Sequence, residues 1–515
     1  MLASVLLLLL SSGVGLASEC YQRQMDHGLV CVCNLTHCDT LTPVGPLKND
    51  VAVLYTTSKS GNRLHRSEVV ASSKSKATSL RITLNLNSTK QTILGFGGAF
   101  TDAVGMNMRS LPTQLQKSII DQYFHPDDGI GYTFGRVPMA SCDFSTREYS
   151  YDDSPLDFTW SNFSLATEDF DYKIPYIKQA QAALGNVTLK LFATPWSPPG
   201  WMKNTGKMVG GGEMLGDING KYWTSYPQYF IRFFEEYHKN GVDFWGLTSQ
   251  NEPTSGADPL WKWQTMLMTP ALQRDFVKKL LGPALRSNDV TKNLKLMMND
   301  DQRYNLPLWP EVVMADPESA KYFAGIGLHW YEDMVESASV QTTTHNKFPD
   351  LFQLVTEACA GYFPADGPKL GDWARAEEYA GRIMADLQNW AAGFVDWNLV
   401  LDMTGGPNFC KNFVDAAIIV NANETEYYKQ PIWHIIGQFS KFVLPDAVVI
   451  EDIITNNIKS VETIAFLNLD GSKAVVILNK SLIESHTVEI TSTSSPDSIF
   501  EFRAEANSLT TVLLK

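Results

Sequence analysis

Short apolar runs with the length of β-strands occur near both ends of the 515-residue chain. Towards the C-terminus, the runs at 464–469 and 473–478 flank Asp470-Gly471, and this arrangement predicts a β-hairpin. Further strands are predicted at 51–55, 81–86, 487–491 and 508–514. We expect the strands from the two ends to join in one discontinuous β-sandwich.

The middle of the chain has a different pattern, in which apolar, β-rich segments alternate with helical ones. In the clearest helix, aromatic residues recur from Tyr226 to Tyr237 on a single face, and this stripe stops before Gly241. Eight such βα units favour a (β/α)₈ barrel. A doubly wound open sheet is the alternative, although no GxGxxG motif follows the first strand. The eight segments are 94–99, 130–137, 187–194, 244–250, 294–300, 326–331, 351–357 and 393–398.

Composition narrows the class of protein. Apolar residues make up 44% of the chain, enough for a large core, and this excludes disorder for most of its length. The 56 acidic residues outnumber the 42 basic ones and give a formal net charge of −14. This balance argues against electrostatic attraction to nucleic acid or to an anionic membrane at neutral pH.

The first residues indicate entry into the secretory pathway. An apolar run at 2–10 followed by small residues predicts a signal peptide at 1–18, with an uncleaved anchor as the alternative. No later apolar run approaches the ~20 residues that cross a bilayer. We therefore expect any membrane association to be peripheral.

Four of the seven cysteines lie close together, at Cys20, Cys31, Cys33 and Cys38. After a signal peptide, two disulfide bonds are favoured over a zinc knuckle with the nearby histidines. The spacing does not choose among the three possible pairings. Six Asn-X-Ser/Thr sites predict a glycoprotein. These sites are Asn34, Asn87, Asn162, Asn186, Asn423 and Asn479.

Polar and aromatic residues follow several predicted barrel strands, where the active sites of such barrels lie. Glu252 ends the fourth segment, and Glu357 ends the seventh. Three βα units separate these segments, so the two carboxylates can face each other across one mouth. Aromatic faces and amide groups beside paired carboxylates suit a carbohydrate substrate. The other residues at these ends are Arg136, Asp143, Trp196, Asn251, His329, Tyr331 and Trp397.

Each of these residues also has an ordinary structural explanation. Arg136 could only neutralise a carboxylate, His329 could be a satisfied core histidine, and the tryptophans could be packing residues. Cys359 follows Glu357 closely but is disfavoured as a nucleophile by the glutamate pair. Asp300-Asp301 could be metal ligands but lack a supporting cluster, so we expect no metal and no cofactor.

The motifs, taken in order, resemble the lysosomal glucosylceramidases of glycoside hydrolase family 30. They occur with matching gaps from about Cys20 to the C-terminus, which makes the resemblance specific. The motifs are GFGGA at 95–99, RVPMASCDF at 136–144, NEP at 251–253, DDQR at 300–303, HWY at 329–331, TEAC at 356–359, DWN at 396–398 and FSKF at 439–442.

The resemblance implies a retaining β-glucosidase that acts on glucosylceramide in the lysosome, with secretion as the alternative destination. It makes Glu252 the general acid/base and Glu357 the nucleophile. It also implies glucose contacts at Asp143, Trp196, Asn251, Trp397 and Asn412, entrance residues Gln302 and Tyr331, and supporting roles for Arg136 and His329. The partners that it implies are a membrane containing glucosylceramide, an activator saposin, anionic phospholipid and a lysosomal trafficking receptor.

The same resemblance implies an architecture. It pairs Cys20 with Cys31 and Cys33 with Cys38. We expect a small disulfide-containing antiparallel β domain, an immunoglobulin-like β-sandwich and a catalytic (β/α)₈ barrel. These three comprise 19–45 plus 399–430, 46–91 plus 446–515, and 92–398 plus 431–445, respectively.

The chain departs from the family pattern in places. Cys410 stands where the best-known members carry an aliphatic residue, and the loops at 256–263 and 361–371 differ in composition. Because these loops would shape the aglycone side, another glycoside such as xylan or β-1,6-glucan is an alternative substrate. A non-catalytic carbohydrate- or lipid-binding glycoprotein is the alternative class, which the presence of both glutamates disfavours.

Overall fold

The structure is a computed structural model that describes residues 19–73, 75, 80–364 and 366–515. The predicted signal peptide lies outside this part of the chain. The strands β1 to β22 are Gln22–Gln24, Leu29–Cys33, Val51–Ser58, His65–Val70, Leu80–Thr92, Gly95–Ala99, Phe134–Met139, Lys190–Pro195, Gly246–Thr248, Lys295–Gln302, Phe323–His329, Phe352–Glu357, Ala391–Asn398, Val400–Asp402, Ile418–Asn421, Glu426–Lys429, Val448–Thr455, Val461–Leu467, Lys473–Asn479, His486–Ser492, Ser495–Ala504 and Ser508–Leu514.

The helices lie mainly between the strands of the middle region. Helices α1 to α11 are Asp102–Arg109, Thr113–Phe124, Ile174–Leu184, Lys221–Lys239, Pro270–Phe276, Gly282–Ser287, Leu308–Met314, Pro317–Ala320, Ser339–Lys347, Trp373–Gln388 and Pro431–Ser440. Within the described ranges, none of the helices has the length and apolar character needed to cross a bilayer.

The strands β6 to β13 form a closed barrel of parallel strands in chain order. Each of the eight segments predicted in the middle of the chain overlaps one of these strands, so the (β/α)₈ barrel is confirmed and the open sheet is wrong. The strands are largely buried because helices cover the outer face and side chains fill the inside. The carboxyl ends of all eight strands therefore meet at one mouth.

Helix α4 carries the predicted aromatic stripe. Tyr226, Tyr229, Phe230, Phe233 and Tyr237 are all buried, as their spacing on one helical face requires. Burial of such a side chain stabilises the fold by about 1.5–3 kcal/mol. The stripe therefore serves packing and does not form a ligand site.

The second sheet has nine strands in the order β21-β20-β5-β17-β18-β19-β22-β3-β4. The predicted hairpin is β18–β19, in which Leu467 pairs with Lys473. The N-terminal strands β3, β4 and β5 pair with C-terminal strands in this one sheet, so the predicted joining is confirmed. Ser72, just after the edge strand β4, forms a β-bridge with Ile499 in β21, the strand at the other edge. This bridge brings the two edges together over a separate apolar core.

A third sheet, in the order β1-β2-β16-β15-β14, lies beside the barrel. It carries the disulfide bonds Cys20–Cys31 and Cys33–Cys38, so the zinc knuckle is wrong. The sheet is antiparallel as expected except at one edge, where β14 pairs parallel with β15. The connection 403–417 is long enough to return the chain to the same end of the sheet, so β15 runs in the direction of β14. The domain boundaries given above stay our proposal.

Candidate active site

A cavity of about 900 Å³ opens at the carboxyl ends of the barrel strands. Both glutamates line it, as do all seven residues expected to contact or admit a sugar. Those seven are Asp143, Trp196, Asn251, Gln302, Tyr331, Trp397 and Asn412. The topology thus gathers residues from β8 to β13 and from two flanking loops around one space.

The two carboxylates lie close together in this cavity. An oxygen of Glu252 and an oxygen of Glu357 are within 4.8 Å of one another. Glu252 has a positive φ of 38°, which is unusual for a side chain other than glycine, and its N–H donates to the Asp300 carbonyl oxygen at 2.9 Å. This bond between the ends of β9 and β10 holds Glu252 in its strained backbone conformation.

Arg136, on β7, is completely buried behind the nucleophile candidate. Its Nη1 contacts Glu357, and its Nη2 donates to Asn251 Oδ1 at 2.8 Å and to Asp300 Oδ2 at 3.0 Å. The guanidinium also lies 4.8 Å from the centre of the Trp196 ring. Burial raises the pKa of Glu357, and the charge of Arg136 opposes that rise. Arg136 therefore favours the ionised carboxylate that a nucleophile needs.

Tyr331 holds the second oxygen of Glu357. Its hydroxyl donates to Glu357 Oε1 at 2.7 Å, while Tyr362 donates its own hydroxyl to the Tyr331 carbonyl oxygen at 2.9 Å. Both oxygens of Glu357 consequently have a donor, which fixes the plane of the carboxylate.

His329 is buried between two acidic groups. Its Nδ1 lies 3.1 Å from Glu252 Oε1, and its Nε2 lies 3.2 Å from Asp300 Oδ1. Burial alone would lower the pKa of His329, but the carboxylates of Glu357, Asp300 and Glu252 raise it to about 10. A ring with this pKa carries protons on both nitrogens at neutral pH, so it can donate to both acidic groups. His329 is thus a buried and fully hydrogen-bonded histidine, and its supporting role towards Glu252 stays a prediction. Gln302 Nε2 adds a second donor to Glu252 Oε1 at 3.2 Å.

Asp300 is the residue whose role the sequence did not indicate. It accepts hydroxyl bonds from Thr248 and Thr356, each at 2.7 Å, in addition to its contacts with Arg136 and His329. Although burial opposes it, the charge of Arg136 holds the pKa of Asp300 well below its usual value. Asp300 is therefore an anion that pairs with Arg136 and His329, rather than the metal ligand considered above. Only its position at the end of β10 could have pointed to it.

Oxygens of Glu252 and Glu357 and a ring nitrogen of His329 are close enough to share an ion. A histidine that is protonated and bonded at both nitrogens offers no lone pair to a metal. The described residues of the site therefore suit proton transfer better than metal binding.

Another wall of the cavity suits a sugar. Trp196 and Trp397 stack with their ring centres 5.3 Å apart and their planes 19° apart. Asn412 donates to Asp143 Oδ2 at 3.0 Å, whereas Asp143 Oδ1 is buried without a partner among the described residues. Burial and the nearby charge of Glu357 raise the pKa of Asp143 to about 8. An unsatisfied buried oxygen of this kind indicates a place for a ligand hydroxyl.

The free thiols do not offer a competing nucleophile. Cys359 lines the cavity, but burial raises the pKa of its thiol well above the usual value. Cys410 lies 3.7 Å from the Asp143 carbonyl oxygen, and burial raises its pKa to about 12. Neither sulfur is thus a thiolate at physiological pH.

The predicted glycosylation sites differ in exposure. Asn87, Asn162, Asn186 and Asn423 are exposed and Asn34 is partly buried, so all five stay candidates. Asn479 is completely buried. Its Nδ2 donates to the carbonyls of Glu484, Ala504 and Glu505 at 2.9, 3.3 and 2.8 Å. The fold therefore leaves no room for a glycan at Asn479, because those bonds occupy the nitrogen that would carry it.

Paired glutamates beside a stacked tryptophan pair, at the mouth of a parallel barrel, define a carbohydrate-cleaving enzyme. Residues 93–443 match the model of the glycosyl hydrolase family 30 TIM-barrel domain, and residues 446–512 match that of the glycosyl hydrolase family 30 beta sandwich domain. The chain belongs to glycoside hydrolase family 30 and is a glycoside hydrolase.

Named relatives cover almost the whole chain. It is 55% identical to the Caenorhabditis elegans protein "Putative glucosylceramidase 4", with 99% of each chain covered. It is 40% identical to the mouse "Lysosomal acid glucosylceramidase" over 93% of this chain and 92% of the mouse protein. The crystal structure of SrfJ from Salmonella typhimurium aligns with a TM-score of 0.81 at 26% identity, over 90% of this chain and 99% of SrfJ.

Proposed function

We propose that this protein is a retaining β-glucosidase that hydrolyses glucosylceramide to glucose and ceramide. The observation that carries the proposal is the approach of Glu252 and Glu357 to within 4.8 Å. Retaining glycosidases hold their carboxyl groups about 5–5.5 Å apart, whereas inverting ones need about 6.5–9.5 Å to admit a water molecule. The observed approach favours a covalent glycosyl-enzyme over direct attack by water.

In the proposed mechanism, the ionised Glu357 attacks the anomeric carbon while Glu252 protonates the departing ceramide oxygen. Glu252 then removes a proton from water, which releases glucose from the ester on Glu357. Arg136 and Tyr331 orient the nucleophile before attack. His329 and Gln302 hold Glu252 in reach of the leaving oxygen in both steps.

The cavity wall formed by Trp196, Trp397, Asp143 and Asn412 would supply the contacts with the sugar. Trp196 and Trp397, which stack on each other, would form one wall beside the glucose ring, and Asp143 with Asn412 would bind its hydroxyls. Asn251 lies beside both Arg136 and the acid/base, where a contact with the 2-hydroxyl would strengthen in the transition state.

A lipid aglycone is supported by the rim of the cavity. Phe363 and Met334 line the cavity and are 90% and 92% exposed, an unusual placement for large apolar side chains. A hydrocarbon chain leaving the cavity would contact these residues. The names of the nematode and mouse relatives point to the same substrate.

The name of the mouse relative also supports a place in the lysosome lumen, reached through the secretory pathway. There the protein would take part in sphingolipid breakdown as a peripheral membrane enzyme. A net charge of −14 opposes binding to an anionic bilayer at neutral pH. Acid conditions, which protonate carboxylates, together with anionic phospholipid and an activator saposin would overcome this repulsion. A trafficking receptor would deliver the protein.

The test is to incubate the purified protein with glucosylceramide vesicles at acid pH, with and without anionic phospholipid, and to measure ceramide by mass spectrometry. A cyclitol epoxide should label Glu357, and the Glu357→Gln variant should neither turn over substrate nor become labelled. Hydrolysis of xylan or β-1,6-glucan without release of ceramide would contradict the proposed substrate. Failure to label the wild-type protein would contradict the mechanism.

A further inference from the structure

Two long loops leave the barrel mouth side by side. The first loop, residues 196–220, follows β8, and the second loop, residues 249–269, follows β9. The amides of three consecutive glycines at 210–212 donate to carbonyl oxygens of the second loop at 2.9, 3.1 and 2.9 Å. A Cβ on Gly211 would lie only 2.4 Å from the Asp258 carbonyl oxygen. The loops therefore approach each other as closely as a glycine backbone permits.

Lys203 joins the two loops through its side chain. It is 1% exposed, and its Nζ donates to the carbonyls of Met208 and Gly210 in the first loop at 2.9 and 2.8 Å. The same nitrogen donates at 2.5 Å to the carbonyl of Thr265 in the second loop. Burial lowers the pKa of Lys203 to about 8, and the charge of Glu148 opposes that fall. The ammonium group is bonded directly by backbone carbonyls of both loops, as a bound cation would be.

The second loop carries two aromatic residues of the cavity wall. Trp261 and Trp263 both line the cavity, with ring centres 4.7 Å apart. In the same loop, Gln264 Nε2 donates to Ser141 Oγ at 2.8 Å, close to the sugar-binding loop of Asp143. The same loop contains Glu252, the group that protonates the leaving oxygen. The tryptophan wall therefore stands on the side where the leaving group departs.

We propose that Lys203 is a positioning residue for aglycone specificity, which acts by holding the tryptophan wall of the second loop against the cavity. This inference rests on the proposed function, because it concerns the leaving-group side of the same site. Lys203 itself does not line the cavity and touches no group of the reaction. Its loss should weaken recognition of a long aglycone and leave the glucose contacts in place.

The experiment compares Lys203→Met with Lys207→Met, an exposed lysine of the same loop, as the matched control. We expect Lys203→Met to lower kcat/KM for glucosylceramide by about tenfold or more. For a β-glucoside with a small aryl aglycone, and for the Ki of a monosaccharide iminosugar, we expect changes below about threefold. Lys207→Met should change none of these. An equal loss on both substrates would overturn the proposal, as would unchanged kinetics.

Two further variants separate positioning from a general loss of structure. Gly211→Ala keeps Lys203 but forces the loops apart, and it should reproduce the selective loss even if Lys203→Met does not fold. In a double-mutant cycle on glucosylceramide, Lys203→Met should add little to Trp261→Ala, because both act through the same wall. Additive effects would overturn the proposal. Wild-type protein that is inactive on both glucosides would overturn the proposed function, and this inference with it.

Discussion

An oxygen of Glu252 and an oxygen of Glu357 lie within 4.8 Å of one another, yet the two side chains share no hydrogen-bond donor among the described residues. His329 and Gln302 contact Glu252, whereas Arg136 and Tyr331 contact Glu357. Separate partners orient the two carboxylates independently, which is what an acid/base and a nucleophile with different tasks require.

The division of roles predicts different defects for the two glutamates. Glu357→Gln should abolish turnover of every substrate, because no glycosyl-enzyme can form. Glu252→Gln should still form the intermediate from a glucoside with a good leaving group, since that departure needs no proton. Pre-steady-state kinetics should then show a burst followed by slow hydrolysis.

Azide provides the control for this assignment. It needs no general base, so it should rescue Glu252→Gln by forming glucosyl azide and should not rescue Glu357→Gln in the same way. The reverse pattern would exchange the two roles. Intact circular dichroism spectra for both variants would exclude loss of fold as the cause.

Tyr331→Phe should shift the acidic limb of the pH profile of kcat/KM. The hydroxyl donates to Glu357 Oε1 at 2.7 Å and so favours the ionised carboxylate. Its removal should raise the pKa of Glu357 and move that limb to higher pH, with a loss of about 1.5–3 kcal/mol in transition-state stabilisation. Tyr362→Phe, which removes a neighbouring hydroxyl that donates to the Tyr331 carbonyl oxygen and not to Glu357, serves as the control. A pH profile that does not move would contradict the role given to Tyr331.

Stability should fall as pH rises from about 5 to 8. Burial raises the folded-state pKa of Asp396 to about 7 and of Asp143 to about 8, so both bind protons in this window when folded but not when unfolded. Each such group lowers the free energy of unfolding by up to about 1.4 kcal/mol per pH unit. His434, whose pKa burial lowers well below its usual value, opposes the trend only below about pH 6.5.

The measurement is the midpoint of urea unfolding at pH 5 and pH 7.5. Asp396→Asn should flatten the dependence, because an amide stays neutral in both states while it can still accept the Tyr379 hydroxyl bond of 2.8 Å. A urea midpoint that rises with pH in the wild-type protein would contradict the predicted loss of stability at higher pH.

Asn479 should carry no glycan, although it lies in a correct Asn-X-Ser sequence. Peptide mapping after enzymatic deglycosylation in H₂¹⁸O should leave Asn479 unlabelled. Asn479→Leu should remove the three hydrogen bonds of this buried amide and lower stability by about 1–3 kcal/mol. Asn87→Gln, at an exposed site, should change the glycan mass at most. A glycopeptide at Asn479 would contradict the buried position.

The sequence was informative about features that depend on a local pattern of apolar and polar residues. The eight apolar segments predicted the barrel. The positions of Glu252 and Glu357 at two strand ends predicted that both lie at one mouth. It was less informative where bonds join distant residues of different elements. Asp300 appeared as a metal candidate, because nothing local shows that Arg136 and His329 approach it from two other strands.

The parallel pairing of β14 and the burial of Asn479 were missed for the same reason. Each depends on which backbone lies alongside, and a local motif contains no information about it. The function of Lys203 also has no sequence signal, since its three partners are carbonyl groups that every residue possesses.

The sequence by itself thus determined the class of fold and the candidate chemistry, because apolar periodicity and strand-end residues are local properties. The tertiary structure alone decided that the two carboxylates lie within 4.8 Å of one another, that His329 lies between Glu252 and Asp300, and that the two loops contact each other. Closing the barrel brings together groups that are far apart in the chain, and only that closure sets their distances and their electrostatic environment.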